Sequence, residues 1–589
     1  MKLPLAGGLQ WAVNSSRSKD HSGATLVNML VEPPYHEGDS GALIPFPGIV
    51  SVGTTAPNSG QINAMAWTGS NDLLYVIAAQ RFYSVNIKTF VWTDLVGAAL
   101  VQLSLADPGY IEFLGVEANG DPTYIVFGSS ESAASAYYHH VATATTGDIG
   151  SLGVTGSGST SATFLDGRII LQDKANVGRF YYSDVLDPTA WSALNFATAE
   201  AQIDALRAVL ASNRELYLFG SKSTEVWFST GDANAPYRRF QGGVINMGLV
   251  GPQTARRFNG SVAWLARNEA GELQVCMMGQ GYVPQVISPP GMIDALAGIE
   301  RPEKCYAYVF QVNGHEVYCL NIPYYLSAGS TSYTFCYDAL TQQWSQWGGV
   351  GSRSVARSCC YAGNMATTTS QSARVFVGGT AGKLGYLSAA TAAEFGVNKT
   401  MSRVMPKVKT SQVLTRCSSV TAEVGYMFAS DAAGAGSTAA ADAAVGATSI
   451  TLAGNAAAAG FSLGVQLVVV CEDGSSFTSI TTSTNGNIVV FYTPLPVKVL
   501  SGATVYAVLP TTVKLSVSTN GGFTWKDLSQ LPVPNNPNIL FPRGKHLSWR
   551  KIGVSRDWSF MLTVQGAAPF EIRDVDADFL VPQPTRYRA

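Results

Sequence analysis

Hydrophobic and aromatic residues are concentrated in short runs along most of the chain, and four such runs follow one another between residues 205 and 251. They occupy residues 209–211, 216–220, 224–229 and 237–240. β-Branched and aromatic residues dominate these runs, and Gly, Pro, Asn or Ser bound them, which is typical of β-strands joined by turns. Four strands in about 45 residues match one blade of a β-propeller, although a β-sandwich can also give evenly spaced short strands.

The four-run pattern recurs from about residue 62 to residue 387. Its spacing of roughly 40–55 residues suits a propeller, in which each blade is a four-stranded sheet packed face to face on the next. In the second copy the runs predict strands at 101–105, 110–116, 124–127 and 137–141. The last copy is incomplete, and we expect a strand from the N-terminal region to complete it and close a ring of six or seven blades.

The remaining segments predict an all-β chain of several parts. Residues 1–60 are proline-interrupted and predict an extended N-terminal arm, which precedes a β-propeller at 61–400. Residues 401–430 and 511–589 predict one C-terminal β-sandwich. Between them, residues 431–510 are rich in Ala and Gly around further apolar runs. This segment predicts a small β-domain inserted into the sandwich.

Composition changes this picture in one respect, because the chain carries few charges. Of its 589 residues 46% are hydrophobic and only 13% charged, roughly half the usual charged fraction. Such a composition suits a β-protein with large subunit interfaces, because charge is costly to bury there. The net charge of −2 argues against a general nucleic-acid binder, which is normally basic. Apolar segments are too short for a signal peptide or a membrane span, so we expect cytosolic synthesis.

Motifs that could carry catalysis are few. Residues 518–525 resemble the Asp-box of sialidases and related propellers, with Asn520 in the Asp position; that box is a hairpin turn that marks folding. His139 and His140 are adjacent, so on a strand they point to opposite faces and cannot bind one metal. We therefore expect no catalytic, cofactor-binding or metal-binding residues. A glycosidase pair of carboxylates stays an open alternative, since sequence spacing alone does not define one.

A run of basic residues follows the propeller, with no acidic residue among its members. It consists of Arg403, Lys407, Lys409 and Arg416. One interpretation is a solvated edge strand, where Lys and Arg deter pairing with another chain. The alternative is a surface that faces DNA phosphates or an acidic partner ring.

Several of these stretches together resemble one family, the tail-hub or nozzle proteins of short-tailed bacteriophages, also called packaged-DNA stabilisation proteins. The likeness lies at the front of the chain, in the middle and in the closing sandwich. The stretches are residues 27–30, 45–49, 219–228, 248–251, 518–525 and 549–553. The inserted segment departs from the more compact members of that family.

The resemblance implies a non-enzymatic structural protein of the virion tail, made in the host cytoplasm. Its subunits would form a ring, expected to be a hexamer, below the portal and its adaptor ring. That ring would continue the channel, retain packaged DNA, conduct double-stranded DNA without sequence preference, and attach tail fibres, a tailspike or a tail needle. Two alternatives remain at this stage: a sialidase-like propeller glycan hydrolase, and a carbohydrate-binding adhesin whose Trp and Tyr side chains stack on sugars.

Overall fold

A computed structural model gives the structure of this chain. The residues that it describes are 2–4, 25–33, 41–69, 71–97, 103–105, 107–129, 136–152, 158–202, 204–232, 235–325, 331–349, 352–363, 374–389, 391–405, 407–409, 414–426, 436–457, 459, 461, 466–472, 476–508, 511–520, 522–533, 545–566 and 570–580. They fall into two compact units, Ser51–Leu387 and a second made of Met1–Val50 with Ser388–Ala589. Over these ranges no helix is long and apolar enough to cross a membrane.

Five strands come before the first blade of the propeller. They are β1 (Lys2–Pro4), β2 (Thr25–Val27), β3 (Met29–Glu32), β4 (Ala42–Pro45) and β5 (Gly48–Thr55).

The unit Ser51–Leu387 is a propeller of seven antiparallel sheets within the described ranges. Blade 1 has β6 (Ile62–Trp67), β7 (Leu73–Ala78), β8 (Arg81–Asn86) and β9 (Trp92–Asp94); blade 2 has β10 (Gly109–Val116), β11 (Pro122–Ser129), β12 (Tyr137–His140) and β13 (Thr145–Asp148); blade 3 has β14 (Ala162–Leu165), β15 (Arg168–Gln172), β16 (Arg179–Tyr182) and β17 (Phe196–Thr198); blade 4 has β18 (Leu206–Ser212), β19 (Glu215–Gly220), β20 (Thr224–Ser229) and β21 (Tyr237–Ile245).

Three further blades and a few short elements complete the unit. Blade 5 has β22 (Gly248–Leu249), β23 (Arg256–Phe258), β24 (Ser261–Arg267), β25 (Leu273–Met278) and β26 (Pro284–Val286); blade 6 has β27 (Tyr306–Val312), β28 (His315–Tyr325), β29 (Thr331–Asp338) and β30 (Gln343–Gln346); a two-stranded ribbon has β31 (Gly348–Gly349) and β32 (Ser352–Arg353); blade 7 has β33 (Ser358–Ala362), β34 (Arg374–Gly378) and β35 (Lys383–Ser388). The helical elements are α1 (Pro290–Leu296) and 3-10 turns at Ile149–Leu152, Gln280–Tyr282, Pro302–Lys304 and Thr380–Gly382.

The ring closes through the N-terminal strand. β5 pairs with β35 and supplies the fourth strand of blade 7, and the Ala56 amide donates to the Gly382 carbonyl at 2.9 Å. On the inner side, β33 packs against β6 of blade 1. This confirms the expectation that an N-terminal strand completes the last blade.

Blade 2 differs from its predicted strands. Residues 103–105 are not a strand; Gly109–Val116 is the first strand, and Thr145–Asp148 is the fourth. The fourth strand of a blade lies at the rim, where it is partly exposed, so Thr145–Asp148 needs no apolar run. A search for apolar runs therefore misses rim strands. For blade 2 it assigned a first strand that the described residues 103–105 do not form, and it left out the fourth.

Aromatic side chains hold neighbouring blades together. The rings of Phe82 and Phe127 stack between blades 1 and 2 with centroids 4.1 Å apart. Phe219 packs against Trp264 between blades 4 and 5 at 5.5 Å. Both members of each pair are fully buried, and burial of one such side chain contributes about 2–3 kcal/mol.

The second unit contains a β-sandwich. Its later strands are β36 (Thr400–Val404), β37 (Val408–Lys409), β38 (Thr415–Tyr426), β45 (Thr512–Ser518), β46 (Lys526–Pro532), β47 (Lys545–Ser555), β48 (Asp557–Gln565) and β49 (Phe570–Leu580). One sheet has the order β3-β4-β49-β38-β47, with β1 on β49, and the other contains β2-β36-β48-β45-β46, with β37 on β48. The two sheets share one core, in which Trp549, Trp558 and Phe560 are buried.

A separate six-stranded sheet lies in sequence between β38 and β45. Its strands are β39 (Gly436–Thr438), β40 (Ser449–Thr451), β41 (Gln466–Val470), β42 (Ser476–Asn485), β43 (Ile488–Phe491) and β44 (Thr504–Val508), in the order β39-β44-β41-β42-β43-β40. Its apolar core draws on residues 439–507 alone, among them Phe461, Phe477 and Phe491. The all-β class is thus confirmed: a propeller, here with seven blades, followed by a sandwich that carries a small inserted β-domain.

Candidate functional site

The innermost strands of the seven blades converge on a cavity of about 340 Å³. Each blade contributes to its wall: examples are Asn63, Glu112, Ser161, Val209, Arg256, Tyr308 and Cys359. Its volume is at the lower end of the range of about 300–1,000 Å³ that is usual for small-molecule sites. The cavity is therefore the place in the propeller where a small ligand has room.

The charges in the cavity wall are mostly positive. Arg256 and Arg257 come from β23, Arg357 directly precedes β33, and Glu112 lies on β10. Three guanidinium groups thus face one carboxylate among the described lining residues. Arg256 and Arg357 are partly buried and Arg257 is exposed. Burial of charge is costly unless it is paired, so packing alone does not account for this excess of positive charge.

Neutral groups fix the position of Arg256. Its Nε donates to the Ala307 carbonyl at 2.7 Å, its Nη1 to the Ala255 carbonyl at 2.9 Å, and its Nη2 to Gln253 Oε1 at 2.9 Å. Arg257 donates through Nε to the Ala211 carbonyl at 2.6 Å. These bonds link blade 5 to its two neighbours. They orient both side chains without neutralising them.

Burial changes the proton affinities in this cavity. It raises the pKa of Glu112 to about 7, although the positive charges of Arg257 and Arg256 and a backbone hydrogen bond from Phe164 lower it. Burial also lowers the pKa of Arg256 to about 10. Glu112 keeps some exposure because it borders the cavity. It can therefore change protonation near neutral pH, while Arg256 stays charged.

The structure separates the four residues of the basic run. Arg403 on β36 is only 3% exposed, and burial lowers its pKa to about 10. The DNA- or partner-facing role expected for Arg403 therefore does not match its position. Met401 and Met405 are buried as well, because alternate residues of an extended strand share a face.

Of the other three members, two lie nearer to solvent or to an acid. Lys407 is half-buried, with Nζ 4.0 Å from Asp557 Oδ1. Lys409 lies opposite Asp557 in the pairing of β37 with β48. Arg416 on β38 is exposed. The run is thus not one uniform basic face, and Arg416 is the most accessible of the members whose side chains the structure describes.

The remaining candidate motifs have structural roles. Ser518 Oγ accepts from the Gly522 amide at 2.8 Å, and Asn520 Oδ1 accepts from the Thr524 amide at 3.0 Å. These bonds confirm the turn interpretation of residues 518–525, which connect β45 to β46. His139 is buried and pairs with Thr146 Oγ1 at 2.9 Å. In the part of the chain that the structure describes, no three His, Cys, Asp or Glu side chains group as metal ligands do.

Sequence reasoning missed the cavity altogether. Glu112, Arg256 and Arg357 are separated by about a hundred residues or more, and their proximity depends on ring closure. A signal was present in Arg256-Arg257, an adjacent pair in a chain that is 13% charged. Alternate residues of a strand share a face, so the apolar Met401 and Met405 would likewise have placed Arg403 on the buried face.

Comparison with known proteins points to one family. A family model described as "Bacteriophage P22 Gp10, beta-propeller" matches residues 1–392. No curated protein sequence matches the chain.

Similar solved structures include a crystal structure of the mitotic checkpoint complex, with 8% identity, a TM-score of 0.33, and coverage of 60% of this chain and 96% of that one. The extracellular domain of the putative hybrid two component system BT4673 from B. thetaiotaomicron has 6% identity, a TM-score of 0.34, and coverage of 76% and 48%. Both TM-scores are below 0.5, so neither similarity supports an inference about this chain.

Proposed function

The chain belongs to the bacteriophage P22 Gp10 β-propeller family, whose model matches residues 1–392, and from this premise we propose that it is the nozzle or hub of a phage tail. Copies of the chain form a ring, a hexamer in this proposal, that continues the channel of the portal and its adaptor. The ring retains packaged DNA and conducts it during ejection. The family match, which covers more than half of the chain, is the observation that carries the proposal.

The charge of the chain supports a conducting role. Affinity for duplex DNA grows with the number of phosphates that Lys and Arg neutralise. A chain with a net charge of −2 and 13% charged residues has little capacity for such binding. DNA can then pass through a ring of these subunits without strong attachment to its wall.

Exposed apolar side chains support assembly with other subunits. On blade 3, Leu194 is 81% exposed, Val185 58% and Leu186 56%. The Asn195 side chain donates to Asp184 Oδ1 at 2.9 Å, which brings the two ends of the connection between β16 and β17 together. Apolar groups clustered on a surface commonly mark protein contacts. We assign this patch to contacts in the ring.

The partners in this proposal are other virion components. The adaptor ring binds on one side, and tail fibres, a tailspike or a tail needle attach on the other. Arg416, exposed on β38, is our candidate for a contact with DNA phosphates or with an acidic surface of the adaptor. In this proposal the protein lies in the virion tail and is made in the host cytoplasm.

Two measurements test the proposal. Native mass spectrometry and negative-stain averages of the purified chain, alone and with its adaptor, should show a closed ring. Particles assembled without the protein should lose packaged DNA, and supplying the protein to them should restore full heads. A strictly monomeric species in the presence of the adaptor would contradict the ring. Turnover of glycosides by the pure chain would contradict the structural role and favour a propeller hydrolase.

A further inference from the structure

The wall of the cavity on the propeller axis carries an excess of positive charge, with three arginines and one glutamate among its described residues. None of the three guanidinium groups of Arg256, Arg257 and Arg357 forms an ion pair within 4.0 Å with a carboxylate of the described residues. The buried Nε of Arg357 also has no hydrogen-bond partner among them. Arg256 and Arg357 are partly buried, whereas Arg257 is exposed. Charges withdrawn from water are normally paired, and buried donors normally have an acceptor. These groups therefore lack a negatively charged partner.

We propose that the cavity binds a small tetrahedral oxyanion of the sulfate or phosphate class, held by Arg256, Arg257 and Arg357. A guanidinium offers parallel N–H donors that match the oxygens of such an anion. The volume of about 340 Å³ greatly exceeds the roughly 10–15 Å³ that one water needs. The proposal does not depend on the role in a phage tail, since it rests on the cavity alone.

The hydrogen bonds to the arginines favour a prearranged site. Arg256 is held by Ala307 of blade 6, and Arg257 by Ala211 of blade 4. Nη1 of Arg357 donates to the carbonyls of Ser354 and Ala356. Each side chain is thus positioned before an anion arrives, which lowers the entropy that binding costs. An anion between them would in turn join blades 5 and 7.

Glu112 makes the proposed affinity depend on pH. The other titratable groups of the wall are Tyr110 on its own strand, Arg256 and Arg257 on β23, Tyr306 and Tyr308 on β27, and Arg357 and Cys359 near β33. Burial raises the pKa of Tyr110, Tyr308 and Cys359, so they stay neutral near pH 7. Protonation of Glu112 removes the one negative charge that opposes an anion. Affinity should therefore rise as pH falls through about 7.

Calorimetric titration of the full chain with sulfate at constant ionic strength tests the proposal. Sulfate stays fully ionised at about pH 5.5 and about pH 8.5, either side of the pKa of Glu112. We expect saturable binding of one sulfate per chain, several-fold tighter at the lower pH. Glu112→Gln should bind more tightly at the higher pH and lose the pH dependence. Absence of saturable binding would leave a water-filled cavity and overturn the proposal.

Variants separate the site from non-specific charge. Arg257→Gln should weaken sulfate binding about tenfold or more, whereas Arg238→Gln, on the exposed part of β21, should leave it unchanged. Arg357→Gln provides a second test if the first variant folds poorly, and thermal melting checks folding in each case. Equal loss in Arg238→Gln, or no loss in both cavity variants, would refute the assignment.

Two competitors identify the source of the anion. Inorganic phosphate should displace sulfate, as expected for a free anion. A 5′-phosphorylated DNA duplex should not displace it. Displacement by the duplex at the same phosphate concentration would overturn the assignment to a free anion and point to a DNA end.

Discussion

Asp204 Oδ2 lies 2.9 Å from the backbone nitrogen of Ser223 and accepts its N–H. The same oxygen accepts from the Lys222 amide at 2.7 Å, so one carboxylate holds the turn between β19 and β20. Gly220 is required beside it, because a Cβ there would lie 2.4 Å from Asp204 Oδ2. The stretch 219–228, which contributed to the family resemblance, therefore encodes a turn that a distant carboxylate completes.

Removing that carboxylate should destabilise the propeller. In Asp204→Ala, the buried amide of Ser223 and the partly buried amide of Lys222 lose their acceptor, and we expect the free energy of unfolding to fall by about 2–4 kcal/mol. Denaturant unfolding followed by tryptophan fluorescence measures the change. Glu269→Ala, at an exposed position, is the control and should change stability by less than about 0.5 kcal/mol. Equal effects in the two variants would contradict this role of Asp204.

Gly248 leaves no room for a side chain. A Cβ at this position would lie 2.2 Å from the Ser221 carbonyl oxygen and 2.5 Å from the Lys222 nitrogen. Both are backbone atoms that cannot rotate away, so Gly248→Ala should cost about 3 kcal/mol or more and reduce the yield of folded protein. Gly454→Ala is the matched control, since open space surrounds that glycine. A melting temperature equal to wild type in Gly248→Ala would refute the clash.

His139 should make stability depend on pH. Burial and the charge of His140 lower its pKa from 6.5 to about 4. Between these values the unfolded chain binds a proton that the folded chain does not, so stability is fully present above pH 6.5 and is lost as pH falls toward 4. The loss can reach about 3 kcal/mol. Melting temperatures across this range should fall less steeply in His139→Gln than in wild type; parallel curves would contradict the assignment.

Arg403 and Arg416 should respond differently to replacement, although both belong to one basic run. Arg403 is buried, and Arg403→Ala should lower the free energy of unfolding by about 2 kcal/mol or more, through lost packing. Arg416 is exposed, and Arg416→Ala should leave stability within about 0.5 kcal/mol. Its effect should appear in the salt dependence of binding to DNA or to the adaptor. A large stability loss in Arg416→Ala would argue for a structural role instead.

The inserted sheet should be dispensable for folding of the sandwich. Its core uses residues 439–507 alone, while the sandwich core uses none of them. Replacing residues 431–510 by a short Gly/Ser linker should therefore leave a folded sandwich, with Trp549 and Trp558 still buried. Near-ultraviolet circular dichroism and limited proteolysis measure this. Rapid proteolysis of the strands on both sides of the linker would show that the insertion is integral to its host.

The sequence predicted the propeller because buried strands carry local apolar and aromatic runs, as in Leu73–Ala78 and Glu215–Gly220. Rim strands such as Thr145–Asp148 lack that signal. The cavity could not be predicted, because Glu112 and Arg256 meet only after several blades have closed into a ring. Arg403 was expected on the surface because of its charge. The two-residue alternation of side chains along a strand instead puts it on the same face as Met401 and Met405, and that face is buried.

The pairing of β5 with β35 also sets an order of events during synthesis. Residues 48–55 leave the ribosome before their partner at 383–388, which is translated more than three hundred residues later. Until then blade 7 has no fourth strand, and both unpaired edges can join another chain. Closure over such a long loop is slow. A nascent chain of this protein therefore depends on protection from its neighbours until translation has passed the last blade.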